Sequence, residues 1–202
     1  MAEATGSVDG VVPYRPSWPQ DFRQVADSIQ PFLAGIPHRI EHVGSTSVPG
    51  LAAKPIIDLD IVVPDRSHVA PAIAALGEAG WIHEGNLGIE GREGFDMLPG
   101  LPRHHLYLVV DGTAPHRDHV DLRDYLRCHP AEAQRYASVK RELSPLLDTD
   151  RRLYTAGKDA VVEQMLQRAR HAFLADGTAT IRPITMDDAA VHLAGEDAEL
   201  AE

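Results

Sequence analysis

The chain holds 202 residues, 44% hydrophobic and 24% charged, with a formal net charge of −11. That length can bury one ordinary domain core, and the composition excludes a collagenous or wholly disordered protein. A single cysteine, Cys128, excludes an intramolecular disulfide framework and a four-cysteine zinc site. No apolar run approaches the roughly 20 residues of a membrane helix, and the acidic opening MAEATGSVDG has no secretion-signal core. A cytoplasmic protein without a membrane partner is the expectation.

The negative charge is unevenly placed. Residues 13–173 carry 18 Lys/Arg against 21 Asp/Glu, whereas the segment from 174 carries one Arg against seven acids. The near-balanced body disfavours duplex nucleic acid as a partner, since sequence-independent binding needs a basic patch. The expected organisation is a flexible leader over 1–12, one domain over 13–175, and an acidic tail or the start of a following domain over 176–202.

In chain order, Ser17-Trp18-Pro19 and Asp21 open a helix in which Phe22, Val25, Ala26, Ile29, Phe32 and Leu33 recur at helical spacing. Gly35 and Pro37 close it. RIEHV (39–43) reads as a short strand, GSTSVPGLAAKP as a loop, and IIDLDIVVP as a strand stopped by Pro64. A helix over about 67–79 ends at Gly77 or Gly80. Residues 81–98 hold four glycines and only a weak strand signal. RHHLYLVVD (103–111) is a second clear strand. A polar turn and a short extended segment then lead to a helix starting near Leu122 or Arg123. Helices over roughly 131–147 and 152–175 follow, the last with a stripe of Val161, Val162, Met165, Leu166, Ala169 and Phe173. Strands interleaved with helices and followed by a helical layer define an α+β or α/β-like domain.

The strand period of two puts Asp58 and Asp60 on one face, with Ile57, Leu59 and Ile61 on the other. Two carboxylates about 7 Å apart repel each other. A hard cation such as Mg²⁺ or Mn²⁺ relieves that repulsion, and Mg²⁺ favours such ligands together with substrate phosphates. The competing reading is a solvated strand face. Upstream, Val43-Gly44-Ser45 ends the preceding strand; a glycine lets backbone approach a phosphate, and serine donates to its oxygens. A phosphate-gripping turn beside a metal-binding acid pair is minimal equipment for phosphoryl or nucleotidyl transfer.

This spacing, hydrophobic-Gly-Ser followed by Asp-Leu-Asp-Ile, resembles the signature of the nucleotidyltransferase superfamily. Pro13-Tyr14, Trp18-Pro19, Glu41-His42-Val43-Gly44-Ser45-Thr46-Ser47-Val48-Pro49-Gly50-Leu51, Lys54-Pro55-Ile56-Ile57-Asp58 and Arg103-His104-His105 then appear in order. Leu122-Arg123-Asp124-Tyr125-Leu126-Arg127, Tyr136 with Lys140, and Tyr154 with Lys158 complete the pattern. Together they resemble the GrpB family over about residues 13–173. The resemblance implies a nucleotidyltransferase-like mixed sheet with flanking helices and a C-terminal helical layer. It implies catalytic and metal-binding Asp58 and Asp60, and phosphate contacts from Gly44, Ser45, Thr46, Lys54, Arg103, His105 and Arg123. Superfamily enzymes commonly add a third carboxylate; RHHLYLVV offers none, which leaves Asp121 on the following segment as a candidate third ligand. The implied partners are an NTP and a small acceptor, and the alternative is a nucleotide- or phospholigand-binding module without turnover.

Arginine forks suit phosphate, and lysine acts as a point charge; structural ion pairs compete for the same residues, Arg123 beside Asp124 among them. His42 is expected either buried and structural or acting on Asp58 as orienter or base. His104-His105 and His116, Asp118, His119 and Asp121 are a weaker transition-metal reading. Cys128 has no activating context, so a packed or half-buried thiol is expected. Thr180-Ile181-Arg182-Pro183 through Ala190 lies outside the GrpB pattern and is similar to the opening of GNAT acetyltransferases. It is either the start of such a domain or an acidic segment that resembles one by chance.

Overall fold

The computed structural model describes residues 10–175. The chain divides into two compact units, Met1–Ala169 and Arg170–Glu202, and the interactions below all belong to the first. The expected tail over 176–202, its GNAT-like stretch, and residues 1–9 of the expected leader lie outside the described residues. Val12 of that leader belongs to the fold: its backbone pairs with Ala53 in an isolated antiparallel bridge.

A mixed five-stranded sheet has the order β1-β2-β5-β4-β3. It is built from β1 (Arg39–Val43), β2 (Ile57–Val63), β3 (His83–Gly85), β4 (Arg92–Phe95) and β5 (His104–Val110). The pair β2/β5 is parallel, and the other three neighbouring pairs are antiparallel. The helices are α1 (Trp18–Ile29), α2 (Val69–Glu78), α3 (Ala114–Cys128), α4 (Pro130–Leu143), α5 (Leu146–Thr149) and α6 (Arg151–Ala175). The α+β class expected from the element order is the one observed.

The central strand β2 explains the layering. Its odd positions, Ile57, Leu59 and Ile61, enter a core shared with Leu106 and Leu108 of β5 and with Trp18, Phe22, Val25 and Ile29 of α1. Ala72 and Leu76 of α2 complete that layer. The i, i+3, i+4, i+7 spacing of the α1 residues makes one apolar stripe, so the helix lies flat on the sheet. The helix stops short of its expected last turn; Leu33 reaches the core from beyond the helix while Phe32 is exposed. Asp58 and Asp60 face away from this core.

Three boundaries differ from the sequence expectation. Residues 81–98 hold two short strands, with an irregularity in register between His83 and Gly85. The helix expected over 131–147 ends at Leu143, and α5 follows separately. The third difference matters most. The polar stretch after β5 is not an extended segment: α3 starts at Ala114, eight residues before Leu122, with Thr113 in extended geometry before it and Pro115 in its first turn. Proline has no backbone N–H to lose there and its φ suits a helix start. His116, Asp118, His119 and Asp121 therefore lie on a helix. Among the described residues no helix is long and apolar enough to cross a membrane.

Candidate functional site

The turn after β1 is locked by geometry only glycine accepts. Gly44 has φ 67° and ψ −171°, a region essentially closed to side chains. A Cβ built on it would collide with the Asp58 carboxylate, with Cγ at 2.8 Å. The backbone thus passes directly against Asp58. Ser47 closes the turn through Oγ–H to the Gly44 carbonyl at 2.6 Å. Thr46 is buried with its hydroxyl 3.0 Å from His42 Nε2.

Beside this turn opens a cavity of about 580 Å³. Of the expected residues, Gly44, Ser45, Thr46, Lys54, Asp58, His105 and Arg123 line it. Asp60 sits just behind, fully buried. Each acid already has an imidazole partner: His105 Nδ1–H donates to Asp58 at 2.9 Å, and His119 Nδ1–H donates to Asp60 at 2.8 Å. The first pair follows from register, since Asp58 and His105 are direct partners across β2 and β5. The second bridges 59 residues of sequence from α3. Burial pulls His119 down, but its bond to Asp60 and the charges of Asp60 and Asp58 outweigh that and hold it above its ordinary value. Tyr107, the partner of Asp60 on β5, is pushed up to about 12 by burial and then by the Asp58 charge.

The two expected arginines differ in their surroundings. Arg123 is 5% exposed and clamped by Asp124 at 2.7 Å and Glu41 at 3.0 Å, with a further bond to the His42 carbonyl. Its guanidinium ties α3 to β1 at the cavity wall. Glu41 is the hub of this network; burial raises it, but bonds from His116 and Arg39 and the charge of Arg123 hold it at about 2. Arg103 lies apart, lining a smaller cavity of about 220 Å³ with Glu84, Asp96, Met97 and His104. His105 and Ile56 line both cavities.

Asp121 is not among the residues lining the main cavity; with α3 helical from Ala114, the α3 carboxylate that lines it is Asp118, alongside Asp58 of β2 and Asp159 and Glu163 of α6. No three His, Cys, Asp or Glu side chains among the described residues form a ready cage for a metal. The histidines of the transition-metal reading are dispersed: His116 contacts Glu41 and Asp111, and His104 faces the core beside Trp81. His42 is structural. It stacks on Phe22 with ring centroids 4.7 Å apart, and burial drives its pKa down to about 3, so it stays neutral. Cys128 is exposed rather than packed.

Sequence reasoning passed over Arg92 as a site residue, and weighed His119 only as a transition-metal ligand rather than as the partner of Asp60. Arg92 stacks on the Tyr107 ring at 4.3 Å and lines the cavity; the glycine-rich segment around it hid the strand that carries it. Tyr107 shares a strand face with His105 on β5 and lines the same cavity. From α4 and α6 come Tyr136, Lys140, Tyr154 and Lys158, all lining the same cavity. The Tyr136 and Ser45 side chains are hydrogen-bonded, which docks α4 on the glycine-serine turn.

A mixed α+β sheet sets a glycine-serine turn against a strand carboxylate, and cationic side chains line the cavity beside it. The model of the GrpB family, described as GrpB protein, matches residues 10–168, and the chain belongs to that family. The crystal structure of the conserved protein GrpB from Enterococcus faecalis is 31% identical at a TM-score of 0.71, covering 81% of this chain and 99% of that one. A UPF0157 protein of Pseudomonas aeruginosa is 37% identical over 180 residues, 83% of this chain and 72% of that one. A fainter likeness is to the Cid1 poly(U) polymerase solved with MgATP, at TM-score 0.41 and 12% identity, over 63% of this chain and 44% of that one.

Proposed function

We propose that this protein moves a nucleotidyl group from an NTP to a small acceptor. The observation that carries the reading is the contact of the Gly44 backbone with Asp58 at the mouth of a cavity large enough for a nucleotide. Ser45 and the backbone of its turn are placed to donate to phosphate oxygens. His105 orients Asp58, and Arg92 with Tyr107 forms a flat wall next to it. Asp58 and Asp60 would hold Mg²⁺ or Mn²⁺: both are hard oxygen donors on one strand face, and their present partners are imidazoles, which are weaker competitors than guanidinium groups. When bound, such an ion neutralises phosphate charge and stabilises departing pyrophosphate. Arg123 then acts as a positioning residue, because its guanidinium is already bonded to Glu41, Asp124 and the His42 carbonyl.

A second reading is a module that binds a nucleotide or phosphorylated ligand without turnover. It is favoured by one observation: Asp60 is sealed beneath His119, and no third acid converges with the pair among the described residues. Incubation with each NTP, Mg²⁺ and a metabolite pool separates the two. Acceptor-dependent pyrophosphate release supports transfer; nucleotide binding without release supports the module; neither binding nor release contradicts both.

A further inference from the structure

Among the described residues two arginines line the main cavity, and the fold treats them oppositely. Arg123 is clamped by Glu41 and Asp124. Arg92, on β4, has no carboxylate partner and no side-chain hydrogen bond among the described residues, and its Nε is buried without an acceptor. An aromatic face holds it instead: the guanidinium carbon lies 4.3 Å from the centroid of the Tyr107 ring. The strand register sets up this contact. Tyr107 is opposite Gly94, and Arg92 is opposite Val109, so Arg92 and Tyr107 are diagonal neighbours on one face of β4 and β5. Long side chains reach each other across such a diagonal.

We propose that Arg92 binds an anionic group, carboxylate or phosphate, on the acceptor, and so selects a small organic anion as the second substrate. The idea rests on the transfer reading above and names its class of acceptor. Sheet order separates the two reactants. The Gly44-Ser45 turn follows β1, Asp58 stands on β2, and Arg92 stands on β4, two strands further on. At roughly 4.8 Å per strand, β4 lies about 10 Å beyond β2, on the side away from β1. A nucleotide whose phosphates meet the turn and whose metal meets Asp58 leaves Arg92 to the other reactant. In-line displacement asks for that placement, since attacking and leaving groups lie on opposite sides of the phosphorus. The acceptor's nucleophile forms its bond to the α-phosphorus and gives its proton to solvent. The bond to the bridging oxygen breaks, and pyrophosphate leaves with that electron pair.

The chemistry of the pair favours an oxyanion. A guanidinium presents its donors as a rigid fork, which matches two oxygens of a carboxylate or phosphate at once. The Tyr107 face fixes the plane of that fork, so little side-chain freedom remains to be lost on binding. Tyr107 does not neutralise Arg92, because burial pushes its hydroxyl up to about 12 and keeps it protonated. An acceptor bearing an ammonium would meet the Arg92 charge with a like charge, and a neutral one would give the fork no counter-charge.

The test is ligand-observed NMR with four probes: glycerate, glycerol 3-phosphate, glycerol and ethanolamine. Each is titrated into protein holding Mg²⁺ and a non-hydrolysable NTP analogue, and into protein alone. One or both anions should bind wild type at least about tenfold more tightly than glycerol or ethanolamine. A preference for glycerol 3-phosphate marks the group as a phosphate; a preference for glycerate marks it as a carboxylate. Arg92→Gln should weaken the bound anion at least about fivefold, with the analogue held within about twofold of wild type. Arg92→Lys keeps the charge and the stem, and so serves should the first variant fail to fold. It should still lose about threefold, because one ammonium cannot reproduce the fork. Neither anion binding to wild type, anion binding indifferent to Arg92, or neutral and cationic probes binding as well as the anions would each overturn the assignment. So would an analogue affinity that falls together with the anions, since Arg92 would then serve the nucleotide. Anion binding that depends on Arg92 in a protein that takes up no nucleotide would sink the transferase reading alone.

Discussion

Gly44 is where residue chemistry and site geometry meet. Its backbone angles exclude side chains, and its missing Cβ is the space the Asp58 carboxylate uses. Gly50 provides an internal control, with φ 75° and nothing within 4 Å of an added Cβ. Gly50→Ala should therefore cost only the backbone strain, about 1–3 kcal/mol. Gly44→Ala should cost clearly more in urea unfolding, and the excess should shrink in an Asp58→Ala background, where the collision is absent. Equal costs at the two glycines would mean that the turn is not pressed against Asp58. A second residue-scale expectation concerns acid. His42 is held neutral, with a folded pKa of about 3 against 6.5 unfolded. A depressed folded pKa means that the unfolded chain binds the proton first, so stability is full above pH 6.5 and drains as pH falls toward 3. Between pH 7 and pH 4 the loss should be on the order of 3 kcal/mol. Glu41, held at about 2 against 4.5, adds its own loss below pH 4.5 with the same sign. His42→Gln should flatten the upper part of this curve; an unchanged pH profile would show that His42 titrates normally.

Among the elements, α3 organises the site. Arg123 joins it to β1, and Arg127 joins it to the turn after β1 through two bonds to the Ser47 carbonyl, at 2.7 and 3.0 Å. His119 joins it to β2 through Asp60. Arg127→Ala should free the turn that carries Ser45. Hydrogen bonds from a charged donor suggest a stability loss of about 1.5–3 kcal/mol, together with weaker nucleotide binding. Lysine at 127 should restore less than half of the effect, since one ammonium cannot reproduce the fork. Unchanged nucleotide affinity in Arg127→Ala would place the turn outside the ligand's reach. Of these elements, β1, β2 and β5 were readable from sequence because apolar alternation and proline stops mark strands locally. The acid pair and the glycine-serine turn were readable for the same reason. The N-terminal half of α3 was not: HRDHVD is too polar to show a helical stripe, and only Pro115 hinted at a start. Its contacts to Asp60 and Glu41 span 59 and 75 residues of sequence, and no local pattern encodes such partners. Arg103 shows the opposite limit, a motif residue that the fold places at a neighbouring cavity.

For the molecule as a whole, the sheet divides labour between its faces. One face, with α1 and α2, is an apolar core; the other carries ionisable groups that α3 and α4 enclose. Keeping Asp58, Asp60, Glu41 and Lys140 on this second face requires paired charges and satisfied donors, which is costly unless a ligand makes use of them. The central claim is that this face binds a nucleotide through Asp58 and a divalent ion. The most direct measurement is calorimetric titration of an NTP into wild type and Asp58→Asn, each with and without Mg²⁺. Asparagine keeps the shape that fits against Gly44 and an oxygen for His105, but removes the charge. Wild type should bind at least tenfold more tightly with Mg²⁺, and Asp58→Asn should lose that gain while keeping its thermal stability. An Mg²⁺ effect of the same size in both proteins, or no nucleotide binding in either, would contradict the account.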